Sequence, residues 1–456
     1  MQNFDAIIIG SGQAGTPLAF KLASEGQTVA LIEKDRLGGT CVNTGCTPTK
    51  AYVASARRMW ETQHAKHLGI EIPEGSFANL QKIKNRKDLL VNESVDGIRK
   101  GIEKEKNITY IHGSAMFCGP KTISVNNEFL TAKNIYINTG ARPNIPEAFS
   151  HLPYLTNADI LELETLPDHL IIIGGSYIGL EFGQMFRRFG SKVTIIEKGD
   201  QITGKEDKYV SETIFEFMQE EGVDFRLKAT CIGGKKNDNN SITVSIDCDD
   251  NPKEITGSHL LLAVGRVPYT DILNLKATAI KTDDNGYITV NDKLETNIPG
   301  IYALGDCNGK GAFTHTAYND YEIITANTFE GKDRKVSDRI LTYGLYVDPP
   351  LGRAGLTKKE AVKQGFEVLE AFRPMKKVAR AKEKGETNGF MRVLIDAKTD
   401  KILGAAILGT GGDEIISSLL SLMYADAPYT TFRDSVIPHP TVSELIPTML
   451  ENLKKV

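Results

Sequence analysis

Near its start the chain alternates short, uninterrupted apolar runs with stretches of helical spacing. Ala6-Ile7-Ile8-Ile9 is an apolar run that stops at Gly10, and a run this short bounded by glycine predicts a buried strand. The positions after Gly15 predict a helix to about Glu25, and Val29-Ala30-Leu31-Ile32 predicts a second strand ending on Glu33. The same grammar returns later. Leu170-Ile171-Ile172-Ile173 runs into Gly174, a helix is expected to about Phe189, and Lys192-Val193-Thr194-Ile195-Ile196 ends on Glu197. In both copies the acid lies 18 residues beyond the last glycine of the turn.

Between the copies, residues 50–105 read as helical and rich in Lys, Arg and Glu, and residues 107–137 as short alternating strands. An amphipathic helix is expected over 209–222, followed by strands to about Val264. From about residue 336 the pattern predicts strands at 341–347, 366–372 and 390–408, then helices at 412–424 and 441–454. Thr357 and Glu360 form a capping box that opens a short helix over 358–364.

Composition narrows the class. A chain of 456 residues is too long for one core and suggests about three domains. With 41% hydrophobic and 25% charged residues it reads as globular, and its 42 glycines cluster where phosphate-binding turns are expected. The net charge of −4 and the lack of a dense basic stretch argue against a nucleic-acid partner. No segment approaches the ~20 apolar residues of a membrane span. The N-terminus runs straight into a strand without a basic leader, so a cytoplasmic location is expected. Six cysteines are too few for a disulfide scaffold, and a close pair among them points to redox or metal chemistry.

Gly10-x-Gly12-x-x-Gly15 between a strand and a helix suits a pyrophosphate at the helix N-terminus, with Glu33 placed for ribose hydroxyls. In the second copy Ser176 replaces the middle glycine. Glu197 accepts hydrogen bonds from a free 2′-hydroxyl and repels a 2′-phosphate, and no arginine lies between 189 and 225. NAD(H) is therefore favoured, with NADP(H) left open by the neighbouring Lys198.

Cys41 and Cys46, in Gly38-Gly39-Thr40-Cys41-Val42-Asn43-Thr44-Gly45-Cys46-Thr47-Pro48-Thr49-Lys50, are the main chemical candidate. Sulfurs five positions apart bridge only across a distorted turn, which makes the bond reducible. A helix starting here stabilises thiolates. The alternatives are a metal site or two buried thiols. A metal site wants further ligands, and the nearest histidines, His64 and His67, are expected on a surface-like helix, so no metal is assigned.

This cysteine segment resembles the active-site signature of the flavoprotein disulfide reductases, the family of glutathione reductase, dihydrolipoamide dehydrogenase and mercuric reductase. Asn138-Thr139-Gly140-Ala141-Arg142-Pro143, Val264-Gly265-Arg266-Val267-Pro268, Tyr302-Ala303-Leu304-Gly305-Asp306, Pro349-Pro350 and His439-Pro440-Thr441-Val442-Ser443-Glu444 are similar to further stretches in the family's order. The resemblance implies an α/β chain with two Rossmann-like nucleotide-binding domains, for FAD and NAD(P), and a C-terminal α+β dimerisation domain. The expected bounds are 1–150 and 271–335 for the FAD domain, 151–270 for the NAD(P) domain and 336–456 for dimerisation.

It further implies that Gly10, Gly12, Gly15, Glu33, Lys34, Gly39, Thr40, Thr139, Gly140, Asp306, His315, Thr316 and Ala317 contact FAD. Gly174, Tyr177, Ile178, Glu181, Glu197 and Gly265 would contact NAD(P), with Tyr177 covering the nicotinamide pocket until the nucleotide displaces it. Lys50 would lie near the flavin and pair with Glu181. Cys46 would face the flavin and Cys41 the substrate. His439, oriented by Glu444, would protonate the leaving thiolate in the active site of the other subunit, making the functional form a homodimer with shared active sites. Thr441 and Glu444 also read as a capping box, so Glu444 has a structural alternative. Cys118, Cys231 and Cys248 show no partner pattern, and Cys307 is given no role.

The substrate expected is a small molecule or a metal ion. A C-terminal cysteine pair of the mercuric reductase kind is absent, since the last cysteine is Cys307. Gly15-Thr16-Pro17 and Pro350-Leu351-Gly352-Arg353 resemble a less characterised, mercuric-reductase-like branch linked to metal-ion or oxidative stress. The alternatives are a dihydrolipoamide dehydrogenase running from dithiol to NAD, and an NADH oxidase or quinone or metal-ion reductase acting directly from FAD.

Overall fold

Ile7 and Ile9 point to one side of their strand and Ala6 and Ile8 to the other, and each pair is packed in a separate apolar core. Burial on both faces explains why the run is continuous rather than alternating. The computed structural model describes residues 1–73, 75–247 and 253–456, with the backbone alone of Ile232, so Cys248 lies outside the described residues. The chain divides into two compact units, each built from three segments. Unit 1 comprises Met1–Ala51, Lys84–Asn144 and Gly265–Arg339, and unit 2 comprises Tyr52–Ile83, Ile145–Val264 and Ile340–Val456.

In unit 1 the strand Gln2–Ile9 pairs in parallel with Val29–Glu33 on one side and Glu128–Ile137 on the other. Ile108–His112 and Ile301–Ala303 extend this parallel core. The antiparallel strands Met116–Gly119 and Thr122–Val125 complete a seven-stranded sheet. The helices Gly15–Ser24 and Thr314–Phe329 cover one face through Leu18, Leu22, Ile323 and Ile324.

In unit 2 the second copy of the grammar forms a five-stranded parallel sheet, with His169–Ile173 between Lys192–Ile196 and His259–Leu262. The helix Tyr177–Phe189 buries Leu180, Phe182 and Phe186 in the adjoining core. The C-terminal quarter forms a six-stranded antiparallel sheet backed by the helix Gly412–Tyr424.

The expected helix over 209–222 is Lys208–Glu220, and the Thr357 capping box opens Lys358–Lys363. Other elements depart from expectation. The helical stretch 50–105 is two helices, Cys46–Gln63 and Leu80–Lys104, and His64 and His67 sit exposed at the short turn between them. The strand expected over 390–408 is the pair Phe390–Asp396 and Ile402–Leu408, and Leu351–Gly355 is an additional strand. The last helix is only Leu445–Leu450, because the chain then extends to lay Lys454 and Lys455 along the sheet edge.

Candidate active site

The two glycine turns share a geometry that follows from backbone approach. Gly10 has φ +104°, and a Cβ there would lie 2.2 Å from the Asn138 carbonyl oxygen. Gly174 has φ +112°, and a Cβ there would lie 2.3 Å from that of Ala263. Only glycine is suited to such positions. The middle position differs for a visible reason. A Cβ on Gly12 would meet Asn138 Oδ1 at 2.9 Å, and that amide is fixed because it accepts from Gly15 N–H at 2.9 Å and donates to Leu304 O at 2.8 Å. Unit 2 has Ala263 in the corresponding place, so Ser176 fits without a clash.

Each acid clamps its own turn. Glu33 accepts from Ser11 N–H and Oγ at 2.9 and 2.8 Å and from Asp35 N–H at 2.9 Å. Glu197 accepts from Gly175 N–H and Gly199 N–H, both at 2.8 Å. A carboxylate offers about four acceptor positions, so both retain capacity for a ribose hydroxyl. Arg226, just beyond the arginine-free stretch, ends a strand paired with Lys192–Ile196, and Glu197 N–H donates to its carbonyl at 2.8 Å. The Arg226 guanidinium meets Asp224 at 3.2 Å.

Unit 1 holds the cysteine pair. Cys41 lies in the short helix Gly39–Asn43, and Cys46 is the first residue of Cys46–Gln63, where unpaired amides favour a thiolate. The two sulfurs interact, and the Cys41 thiol is pushed up, first by its hydrogen bond with Cys46 and then by burial. Thr314, the first residue of Thr314–Phe329, places its Oγ1 3.2 Å from Cys46 Sγ and also hydrogen-bonds the Cys41 side chain, which lowers that thiol. No sequence pattern had marked Thr314. Lys50 follows Cys46 on the same helix, one turn on.

Around this pair, unit 1 gathers groups suited to a dinucleotide. The Thr139 Oγ1 and Asn43 Oδ1 atoms are buried without a hydrogen-bond partner. Asp306 is half-buried, and its carboxyl is raised by burial, against the opposing pull of the Arg266 guanidinium. Gly140 (φ +69°) turns the chain into the strand Ala141–Pro143, and Gly265 precedes Arg266–Pro268, which pairs with it. Gly265, expected at the NAD(P) site, thus opens the last segment of unit 1. Lys34 donates to Tyr269 Oη at 3.2 Å and lies over that ring. Thr316 Oγ1 accepts from Phe313 N–H at 3.1 Å, His315 stacks on the Phe313 ring, and Ala317 is buried below Gly305. Gly39 and Thr40 begin the helix that carries Cys41. A cavity of about 370 Å³ lined by Gly12, Gln13, Thr16, Val42 and Tyr318 adjoins the first glycine turn.

Unit 2 holds the remaining expected residues. Glu181 is buried and accepts from Tyr346 N–H at 3.0 Å. Tyr177 heads the helix after the second turn, followed by Ile178, and its hydroxyl donates to Glu206 at 3.1 Å. His439 Nδ1 and Glu444 Oε2 are 2.8 Å apart, with the imidazole 78% exposed and the carboxylate 14% exposed. Glu444 N–H donates to Thr441 Oγ1 at 3.2 Å, which is half of a capping box, while its carboxylate turns to His439. Cys307 is buried against backbone carbonyls, its thiol pushed up to about 12 by burial. The Cys231 thiol is likewise pushed up to about 12, by burial and the charge of Glu197, and Cys118 is exposed. Among the described residues no group of three or more His, Cys, Asp or Glu is placed to hold a metal ion, and no helix is long and apolar enough to cross a membrane.

Two doubly-glycined nucleotide turns, a thiol pair at a helix start and a C-terminal antiparallel sheet define a class, and the comparisons agree with it. Residues 4–320 match the family described as pyridine nucleotide-disulphide oxidoreductase and residues 342–450 match its dimerisation domain, so the chain belongs to this family of FAD-dependent enzymes. The dimerisation domain supports a homodimer. Mercuric reductase of Staphylococcus aureus is 32% identical, over 97% of this chain and 81% of that protein. Dihydrolipoyl dehydrogenase of the same organism is 31% identical, over 97% of this chain and 94% of that one. The solved HOCl-induced flavoprotein disulfide reductase RclA from Escherichia coli superposes with a TM-score of 0.89 at 31% identity, covering 98% of this chain and 99% of that one.

Proposed function

We propose that the chain takes electrons from a pyridine nucleotide and delivers them through the Cys41–Cys46 disulfide to an oxidised small molecule or metal ion. The observation that carries this reading is the interacting Cys41–Cys46 pair with Cys46 alone at the start of a long helix and 3.2 Å from Thr314 Oγ1. That position sets the two sulfurs apart within one pair. FAD, held by the unit 1 residues above, supplies a two-electron carrier when bound. The chain's own residues do the rest. The Cys41–Cys46 bond takes two electrons and one proton, leaving Cys46 as thiolate and Cys41 as thiol. Cys41 then gives up its proton and attacks one sulfur of a disulfide substrate, and His439, held by Glu444, protonates the sulfur that leaves. Cys46 attacks Cys41 to release the second thiol and restore the disulfide. Overall, NADH, a proton and a disulfide give NAD⁺ and two thiols.

Lys50 and Glu181 are assigned as catalytic residues of their respective units, and Glu33 and Glu197 as ribose acceptors. NADH is the favoured donor because Glu197 repels a 2′-phosphate, while Arg226 on the neighbouring strand keeps NADPH in the panel. Residues 1–150 and 271–335 are read as the FAD-binding part, and residues 151–270 and 336–456 as the nucleotide and dimerisation parts. For the acceptor, one solved RclA structure is a Cu(II) complex, which makes Cu(II) the first metal ion to test. A second reading, oxidation of a dithiol by NAD, is favoured by the His439–Glu444 pair at 2.8 Å.

The test is a thiol count on the FAD-loaded enzyme under argon. One equivalent of NADH should expose two additional thiols to an alkylating reagent, and Cys46→Ser should abolish the gain. An unchanged count after full NADH oxidation would exclude the disulfide route and favour direct transfer to oxygen or a quinone. A panel of lipoamide, glutathione disulfide, Cu(II), Hg(II) and quinones with both nucleotides then identifies the acceptor.

A further inference from the structure

Tyr177 stands directly after Gly174-Gly175-Ser176, and its hydroxyl is tied to a charged cluster that the proposed chemistry does not use. Tyr177 Oη donates to Glu206 Oε1 at 3.1 Å, and Tyr343 Oη donates to the same oxygen at 2.5 Å. The two rings lie 5.4 Å apart. Arg353 Nε stands 3.4 Å from Glu206 Oε2, with both side chains at least 97% buried. That second oxygen lacks an aligned hydrogen bond, so Arg353 balances its charge without saturating it. Arg353 is itself anchored by Nη1 on Ala354 O and Ala405 O at 2.6 and 3.0 Å. The Glu206 backbone is bound to the glycine turn as well, since Glu206 N–H donates to Thr203 O at 2.7 Å and Thr203 N–H to Gly175 O at 2.8 Å.

A buried carboxylate of this kind is costly unless it is paired. Here it stays paired whichever way Tyr177 moves, because Tyr343 and Arg353 come from the C-terminal sheet. Only the bonds of the Tyr177 hydroxyl, to Glu206 and to the Tyr343 hydroxyl, are optional. That asymmetry is what a latch requires: a fixed catch, and a moving part joined to it through its hydroxyl alone.

We propose that Glu206, fixed by Tyr343 and Arg353, is the latch of the Tyr177 gate and sets how readily the ring yields to the nicotinamide nucleotide. Glu206, Tyr343 and Arg353 are positioning residues in this scheme. The inference rests on the reading of Tyr177 as the cover of the nicotinamide pocket. A closed gate reduces apparent affinity by the fraction of open molecules, so weakening the latch must tighten binding and strengthening it must loosen binding.

The experiment measures NAD⁺ binding to the oxidised, FAD-loaded enzyme by calorimetry, with thermal melts to confirm folding. Tyr177→Phe keeps the ring and removes the bond, and it should lower the apparent Kd by about tenfold. Tyr343→Phe removes one donor from Oε1 together with the hydroxyl that also meets Tyr177, and should lower the Kd by about two- to threefold. Tighter binding from two loss-of-hydroxyl variants is not expected of a merely structural cluster. A Tyr177→Phe Kd equal to or above wild type, or a raised Kd in Tyr343→Phe, overturns the latch. Tyr177→Ala separates the two layers. If it tightens binding while Tyr177→Phe does not, the gate stands and the latch falls; if it leaves the Kd unchanged, the gate reading itself fails.

Discussion

At the scale of single residues, the chemistry turns on which sulfur keeps its proton. Thr314 opposes the upward push on Cys41 and touches Cys46 at 3.2 Å. Thr314→Val preserves shape and deletes the hydroxyl. With one hydrogen bond worth about 1 kcal/mol, alkylation of the reduced pair near pH 7.5 should slow by about fivefold. A rate equal to wild type would show that the hydroxyl does not stabilise the thiolates. The cysteines were legible in the sequence because their spacing and flanking glycines form a pattern. Thr314 was not, because a threonine at a helix start is common and its target lies in another segment. Asn138 was read only as part of a stretch similar to one in the family, although its amide is what requires glycine at position 12. Glu444 was ambiguous between cap and partner, and only the side-chain direction, toward His439, separates the two.

Among the elements, parallel strands and their helices were easy to read, since burial on both faces leaves continuous apolar runs. The strand Leu351–Gly355 was hidden for the opposite reason. It is buried along its whole length, yet it contains Arg353 and two glycines. Gly352 is needed where a Cβ would lie 2.1 Å from Gly412 O, so close packing against the helix Gly412–Tyr424 replaced the expected apolar residue. The strand His169–Ile173 has a pH-sensitive end. His169 sits between Thr256 O and Thr194 Oγ1, both at 2.9 Å, and burial, then Lys192, holds its pKa below 6.5. A base depressed in the folded state binds protons more readily when unfolded. Its contribution is present above about pH 6.5 and is lost as pH falls through and below that value. Thermal melts of the wild type should drop between pH 7 and 5 more steeply than those of His169→Gln; parallel curves would dismiss the histidine as the cause.

For the whole molecule, the proposed sharing of active sites has a genetic form of test. Cys46→Ser and His439→Ala homodimers should each be inactive with a disulfide substrate. If His439 serves the partner's cysteines, a mixed heterodimer contains one intact composite site. Refolding equal amounts together should then restore about a quarter of wild-type turnover. No recovery, with heterodimers demonstrated by mass, would place all these groups within one chain. The assembly of each unit from three separated segments has a different consequence, which concerns synthesis. The Glu206 carboxylate leaves the ribosome well before Tyr343 and Arg353, and Arg188 and Glu221 before Asp348, with which Arg188 also pairs. Neither unit can close its core until its last segment has emerged, from Gly265 for unit 1 and from Ile340 for unit 2. The nascent chain therefore carries uncompensated charge and open apolar surface through most of its translation, and a message cut short leaves quality-control proteases an unfinished substrate rather than a working fragment.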